Sequence, residues 1–180
     1  RLWDPQAEER LGHFEDLAGP VAVVRYGEGL AIAEHFKGSV TWFGDTDPVV
    51  LASGLPAPTE LAVFDDALYV SDRELGQIQI IARNGEPLDQ AEIIVDGLEA
   101  PEGFVVTETG IVAVEADAAR IVCVDANGDR RILATMPGGS PGTPGLTPSQ
   151  IFNGIAIDAD GTLFVTGETE RVLYRIKAPW

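Results

Sequence analysis

Leu30-Ala-Ile-Ala-Glu34, Leu68-Tyr-Val-Ser-Asp72, Ile111-Val-Ala-Val-Glu115 and Leu163-Phe-Val-Thr-Gly167 are four versions of one phrase. Each is an apolar run of strand length, closed in three cases by a carboxylate. Their first residues lie 38, 43 and 52 positions apart. A second run follows each one: Val40-Thr-Trp-Phe43, Ile78-Gln-Ile-Ile81, Ile121-Val-Cys-Val124 and Val172-Leu-Tyr-Arg175. The step from the end of the first run to the start of the second is 6, 6, 6 and 5 residues. Unrelated strands do not keep such spacing. A period of about 40–50 residues is the mark of stacked supersecondary units.

Shorter apolar runs precede these pairs: Val21–Val24, Glu60–Val63, Gly103–Val106 and Gly154–Ile157. Fourth runs follow three of them, at Val49–Ala52, Ile93–Val95 and Arg131–Ala134. Asn84-Gly85 and Asn127-Gly128 are hairpin turns by composition. Asp158-Ala-Asp160-Gly161 resembles a calcium loop but lacks the rest of one, so a tight turn is expected. Four short antiparallel strands per unit describe a blade of a β-propeller. The expected fold is therefore all-β: a β-propeller of about four four-stranded antiparallel blades, in one domain over residues 1–180. The repeats run at about 17–55, 56–99, 100–149 and 150–180. Helical periodicity is weak, and its best candidate, Gln6–Arg10, reads equally well as the turn of a strand.

The ends fit the same plan. Arg1–Trp3 and Arg10–Phe14 look like blade strands, whereas the last repeat has only three. The tail 1–16 is expected to complete a blade, with Arg10–Phe14 beside Val172–Arg175 of this chain or of a second copy. The stretch Met136–Pro148 holds four prolines and four glycines, so an irregular loop is expected there.

Acidic residues number 29 against 12 basic ones, a formal net charge of −17. Such a surface repels nucleic acid and anionic lipid, so neither is an expected partner. No apolar stretch approaches the ~20 residues needed to span a bilayer. A chain opening on Arg rather than Met is expected to have lost an N-terminal segment, and a secreted or periplasmic setting is favoured over the cytoplasm. The single cysteine, Cys123, reads as a small buried hydrophobe. A catalytic thiol would want a histidine, and only His13 and His35 exist. His35, with Lys37, reads as a surface residue after a strand end, and Trp42 as a side chain packed between blades.

The strings Pro101-Glu-Gly-Phe-Val-Val106 and Phe152-Asn-Gly-Ile-Ala-Ile-Asp-Ala-Asp-Gly-Thr-Leu-Phe-Val165 resemble NHL repeats. They are also similar to the senescence marker protein/gluconolactonase family and to strictosidine-synthase-like propellers. The resemblance spans residues ~17–178 and is specific for the fold, not for an activity. It implies a ring that is usually six-bladed, so that four repeats form part of a larger ring or associate with a second copy. It also implies a divalent cation, usually calcium, at the central channel. The matching channel-lining positions are Thr59, Glu102 and Asn153, with Gly19 or Pro20 in the first repeat. Glu102 and Asn153 are of the right type to be metal ligands, while the family's catalytic Asp has no counterpart. The carboxylates ending the second strands, Glu34, Asp72 and Glu115, read as braces for the following turn. Two functions follow as expectations. One is an NHL-like binding or scaffold propeller without chemistry of its own, taking a protein or small-molecule ligand. The other is a calcium-dependent lactonase/gluconolactonase-like hydrolase centred on Glu102 and Asn153.

Overall fold

A computed structural model describes residues 2–4, 9–12, 14–135, 153–167 and 172–178. Gln6, His13 and the Met136–Pro148 stretch lie outside the described residues. Every element described is a strand, and the chain is a β-propeller of four antiparallel blades. The first blade comprises β3 (Pro20–Tyr26), β4 (Gly29–Glu34), β5 (Ser39–Phe43) and β6 (Val49–Ser53). The second comprises β7 (Pro58–Phe64), β8 (Ala67–Asp72), β9 (Gln77–Arg83) and β10 (Glu86–Val95). The third comprises β11 (Pro101–Thr107), β12 (Gly110–Glu115), β13 (Arg120–Asp125) and β14 (Arg130–Thr135). The fourth has three described strands, β15 (Ile155–Ile157), β16 (Leu163–Gly167) and β17 (Val172–Ile176).

Side chains alternate across a strand, and each blade uses both faces. In β12, Ile111 and Ala113 pack toward the second blade, whereas Val112 and Val114 pack toward the fourth. In β8, Leu68 and Val70 join the first blade's cluster, and Tyr69 leans on the next. A strand apolar on both faces is thus what a blade between two blades requires, and the core lies between blades. Trp42 packs against the first of these clusters, with its indole N–H donating to Tyr26 O at 3.0 Å. Cys123 is half-buried against the cluster shared by the third and fourth blades.

Turn chemistry accounts for the constant six-residue step. Gly38 and Gly76 take φ of +63° and +66° between the second and third strands, where a Cβ would meet Leu55 O or Leu98 O at 2.5 Å. The third repeat holds Ala119 at φ +49° in the same place.

The inner strands pack in chain order, β3 on β7, β7 on β11 and β11 on β15. Among the described residues β15 and β3 make no contact of comparable extent. Within this chain the tail pairs elsewhere than with Val172–Arg175, the pairing in a second copy being a separate case. Residues Glu9–Gly12 form β2, which pairs antiparallel with β1 (Leu2–Asp4) in a separate two-stranded sheet. Among the described residues Arg10–Phe14 do not pair with Val172–Arg175. A hairpin formed from neighbouring segments closes a much shorter loop than a ladder between the two chain ends, so it costs less entropy.

Candidate functional site: the inner strand ends

Each of the first three inner strands opens on a proline paired with the carboxylate that ends the second strand. The pairs are Pro20 with Glu34, Pro58 with Asp72 and Pro101 with Glu115. The register then slips, leaving Val21, Thr59 and Glu102-Gly103 unpaired in a bulge. A bulge re-aims the side chain it carries. This register places Val21, rather than Gly19 or Pro20, at the position of Thr59 and Glu102.

The three carboxylates do what a brace requires. Glu34 Oε1 accepts the Ala18 N–H at 3.1 Å, and its Oε2 accepts from Thr41 Oγ1 and Lys37 Nζ at 2.9 and 3.2 Å. Asp72 Oδ2 accepts the Ala57 N–H, while Oδ1 takes those of Glu74 and Leu75. Glu115 Oε1 accepts the Glu99 N–H at 2.9 Å, and Oε2 accepts Arg120 Nε at 2.5 Å. Burial works to raise the Glu34 and Glu115 carboxyls, but these donors outweigh it and hold both below the ordinary value. Gly167 stands at this position in the fourth blade and has no side chain to do the same.

Glu102, Asn153 and Thr59 are buried, at 1%, 7% and 3% exposure. Glu102 and Asn153 converge as their shared repeat position demands. Asn153 donates to Glu102 Oε2 twice, from its backbone N–H at 2.7 Å and from Nδ2 at 2.6 Å. The other oxygen, Oε1, accepts Arg73 Nη1 at 2.5 Å, and Arg73 Nη2 reaches the exposed Asp117 Oδ1 at 3.1 Å. Thr59 does not join this pair. Its hydroxyl donates to Pro101 O at 3.1 Å and sits 2.8 Å from Ser71 Oγ, which donates to Glu102 O. Burial pushes the Glu102 carboxyl up, against the Asn153 hydrogen bonds and the Arg73 charge, with Asp117 adding to the rise.

Sequence reasoning missed Arg73. It immediately follows Asp72, as His35 follows Glu34, and both reach the next blade: His35 Nδ1 lies 3.1 Å from Pro58 O. The third repeat has Ala116 there, which cannot reach out. The position after the strand-ending carboxylate was thus the available signal. Glycine completes the junction. A Cβ on Gly103 would stand 2.5 Å from Asn153 O and 2.8 Å from Ile155 N, so the third and fourth blades meet backbone to backbone.

Both Glu102 oxygens accept N–H donors, Oε1 from Arg73 and Oε2 from the two N–H groups of Asn153. As bonded, this is an ion pair with amide support. A calcium site would need ~6–8 oxygens, and no three His, Cys, Asp or Glu cluster suitably among the described residues. Chemically, the arrangement couples three blades through one neutralised carboxylate.

No protein-family model matches the chain, and no curated protein matches it at a significant level. Solved structures do. Virginiamycin B lyase from Staphylococcus aureus is 15% identical, with a TM-score of 0.62 over 90% of this chain and 56% of its own. A gluconolactonase-like protein is 11% identical, with a TM-score of 0.70 over 92% and 61%. An auxiliary nutrient binding protein from Bacteroides thetaiotaomicron is 11% identical, with a TM-score of 0.71 over 91% and 39%. This chain therefore spans about half the length of these three structures. At such identities the likeness is one of fold: the chain is similar to β-propellers that serve different functions.

Proposed function

We propose that the chain is a binding or scaffold propeller that carries out no chemistry of its own and takes a protein or small-molecule ligand. One observation carries this reading: the buried Glu102 carboxylate is already neutralised by Arg73 and hydrogen-bonded by Asn153. The polar groups at the inner strand ends are spent on holding blades together. A base or metal ligand at Glu102 would first have to break the Arg73 pair. The nutrient-binding protein among the similar structures supports a ligand-binding role.

The rival is the calcium-dependent lactonase-like hydrolase. Calcium titration by calorimetry, with thermal melts of the native chain and Glu102→Gln, separates the two. The expected result is no heat and no calcium-dependent shift. A calcium-dependent rise in Tm that Glu102→Gln abolishes would overturn the proposal in favour of the hydrolase.

A further inference from the structure

The outer strands of the first and second blades do not close on each other. Between β6 and β10 runs a groove of about 390 Å³. Its cause is local. In β10, Pro87 pairs with Ala82 and Glu92 with Ile80, so residues 88–91 stand opposite Ile81 alone. Four residues against one push the strand outward, and such bulges re-aim the side chains they carry. Residues 50–55 line the facing wall, over roughly 17 Å of extended chain. β6 and β10 are each the last strand of their sheet, so the groove runs beside backbone edges that no described strand pairs. Both walls belong to neighbouring blades, and the groove exists whatever lies beyond the first or the fourth.

The groove offers apolar surface and hydrogen-bond acceptors but no positive charge. Val50 and Leu75 are 51% and 42% exposed on its walls, with Leu88 half-buried beside them. Asp89 is its one charged lining residue, exposed and without a hydrogen bond or ion pair among the described residues. Gln79, only 6% exposed, forms the floor. It spends its Nε2 donor on Gln77 Oε1 at 2.8 Å, while its own Oε1 accepts nothing among the described residues. Exposed Glu74 and Glu86 directly precede the lining residues Leu75 and Pro87. Arg25, Lys37, Arg73 and Arg83, the cations of the first two blades, line none of it, and Arg83 is bonded to Glu92 at 2.8 Å.

We propose that this groove docks an extended peptide segment of a partner protein, with an arginine side chain bonded to Asp89 and apolar neighbours covering Val50 and Leu75. The inference rests on the binding reading of the chain, and it gives the ligand a class and a place away from the inner strand ends. Guanidinium supplies only donors, in a fixed fork that matches a carboxylate, and Gln79 Oε1 is a further acceptor for it. The net charge of −17 draws a basic segment toward the surface. An extended chain suits a groove walled by two strands, because its alternate side chains all point to one side.

The probe is a pool of capped hexapeptides with arginine fixed at the third position and Leu, Val, Ile or Ala elsewhere, set against the same pool with glutamate fixed there. Equilibrium dialysis with mass spectrometry reads the bound fraction. The native chain is expected to retain the arginine pool at least ~10-fold over the glutamate pool, and Asp89→Asn to lose that preference, a factor within reach of one hydrogen bond to a charged group. Val50→Arg, which puts a cation on the wall, is expected to release the arginine pool too. Glu108→Gln, in the turn between β11 and β12, removes the same unit of charge and is expected to leave retention unchanged. All three side chains are exposed, so the fold does not need them, and circular dichroism checks each variant. A native chain with no preference for arginine, an Asp89→Asn variant that keeps it, or equal losses in Asp89→Asn and Glu108→Gln overturns the proposal. N-acetylarginine amide bound as strongly as the peptides overturns it as well, assigning the groove to small cations. Each of these results, with calcium silent, removes the groove alone. The binding reading itself falls only to the calcium-dependent rise in Tm that Glu102→Gln abolishes.

Discussion

At the scale of single residues, the junctions between blades are set by close approaches and by where charge is buried. Gly103→Ala puts a methyl within 3 Å of two backbone atoms of the next blade. Backbone cannot swing aside as a side chain can, so a loss of about 1–3 kcal/mol is expected in urea unfolding. Gly154→Ala is the control: its Cβ would meet only Thr166 Oγ1, at 3.8 Å, and a change within ~0.5 kcal/mol is expected. Arg73→Ala leaves the Glu102 charge buried without its cation, which costs roughly 3–5 kcal/mol for a buried pair. Adding Glu102→Gln removes that charge, so the double variant should recover part of the loss. A double variant no more stable than Arg73→Ala would show that packing, not charge, was lost. Ser39 Oγ is buried and has no hydrogen-bond partner among the described residues. Ser39→Ala should therefore raise stability by about 1 kcal/mol, read in the same unfolding assay.

At the scale of elements, the repeated unit is a strand ending in a carboxylate that ties down the start of the inner strand. Glu34 and Glu115 titrate below the ordinary value of 4.5, so their contribution is present above that pH and lost as pH falls through their folded values. Glu102 titrates above it, so its contribution has the opposite sign: burial of its charge costs stability at neutral pH, and the cost is relieved on acidification. The native chain should lose stability on acidification, and Glu102→Gln should lose it more steeply, since the compensating group is gone. Urea unfolding at a series of pH values measures this; parallel curves would remove Glu102 from the account. Strand identity was legible in the sequence here, because β4, β8, β12 and β16 are local apolar runs with clear turns between them. Strand length was less so. Fourth-strand pairing was read at Ile93–Val95, while β10 runs from Glu86 to Val95 with two register shifts. Polar residues such as Asp89 and Gln90 hide such a strand from a search for apolar runs.

At the scale of the whole molecule, stability resides between blades rather than within them. Ile78 is fully buried in the cluster joining the second and third blades, while Ile132 on the outer strand β14 is 56% exposed. Ile78→Ala should cost about 2–5 kcal/mol, and Ile132→Ala under ~0.5 kcal/mol, both read from urea midpoints. Equal costs would place the core within sheets instead.

The sequence by itself determined the all-β class, the four repeats and the shared repeat position of Glu102 and Asn153. These follow from local pattern and from equivalence of repeat position, which a chain carries without reference to distant residues. Only the tertiary structure decided that Arg73 neutralises Glu102. The two are 29 positions apart and meet because one blade stacks on the next. It also moved the first-repeat position to Val21, since a bulge shifts register by one residue without altering composition. The pairing of β2 with β1 was likewise a matter of which partner lies within reach. Apolar pattern says that a face must be covered, and three-dimensional proximity selects what covers it.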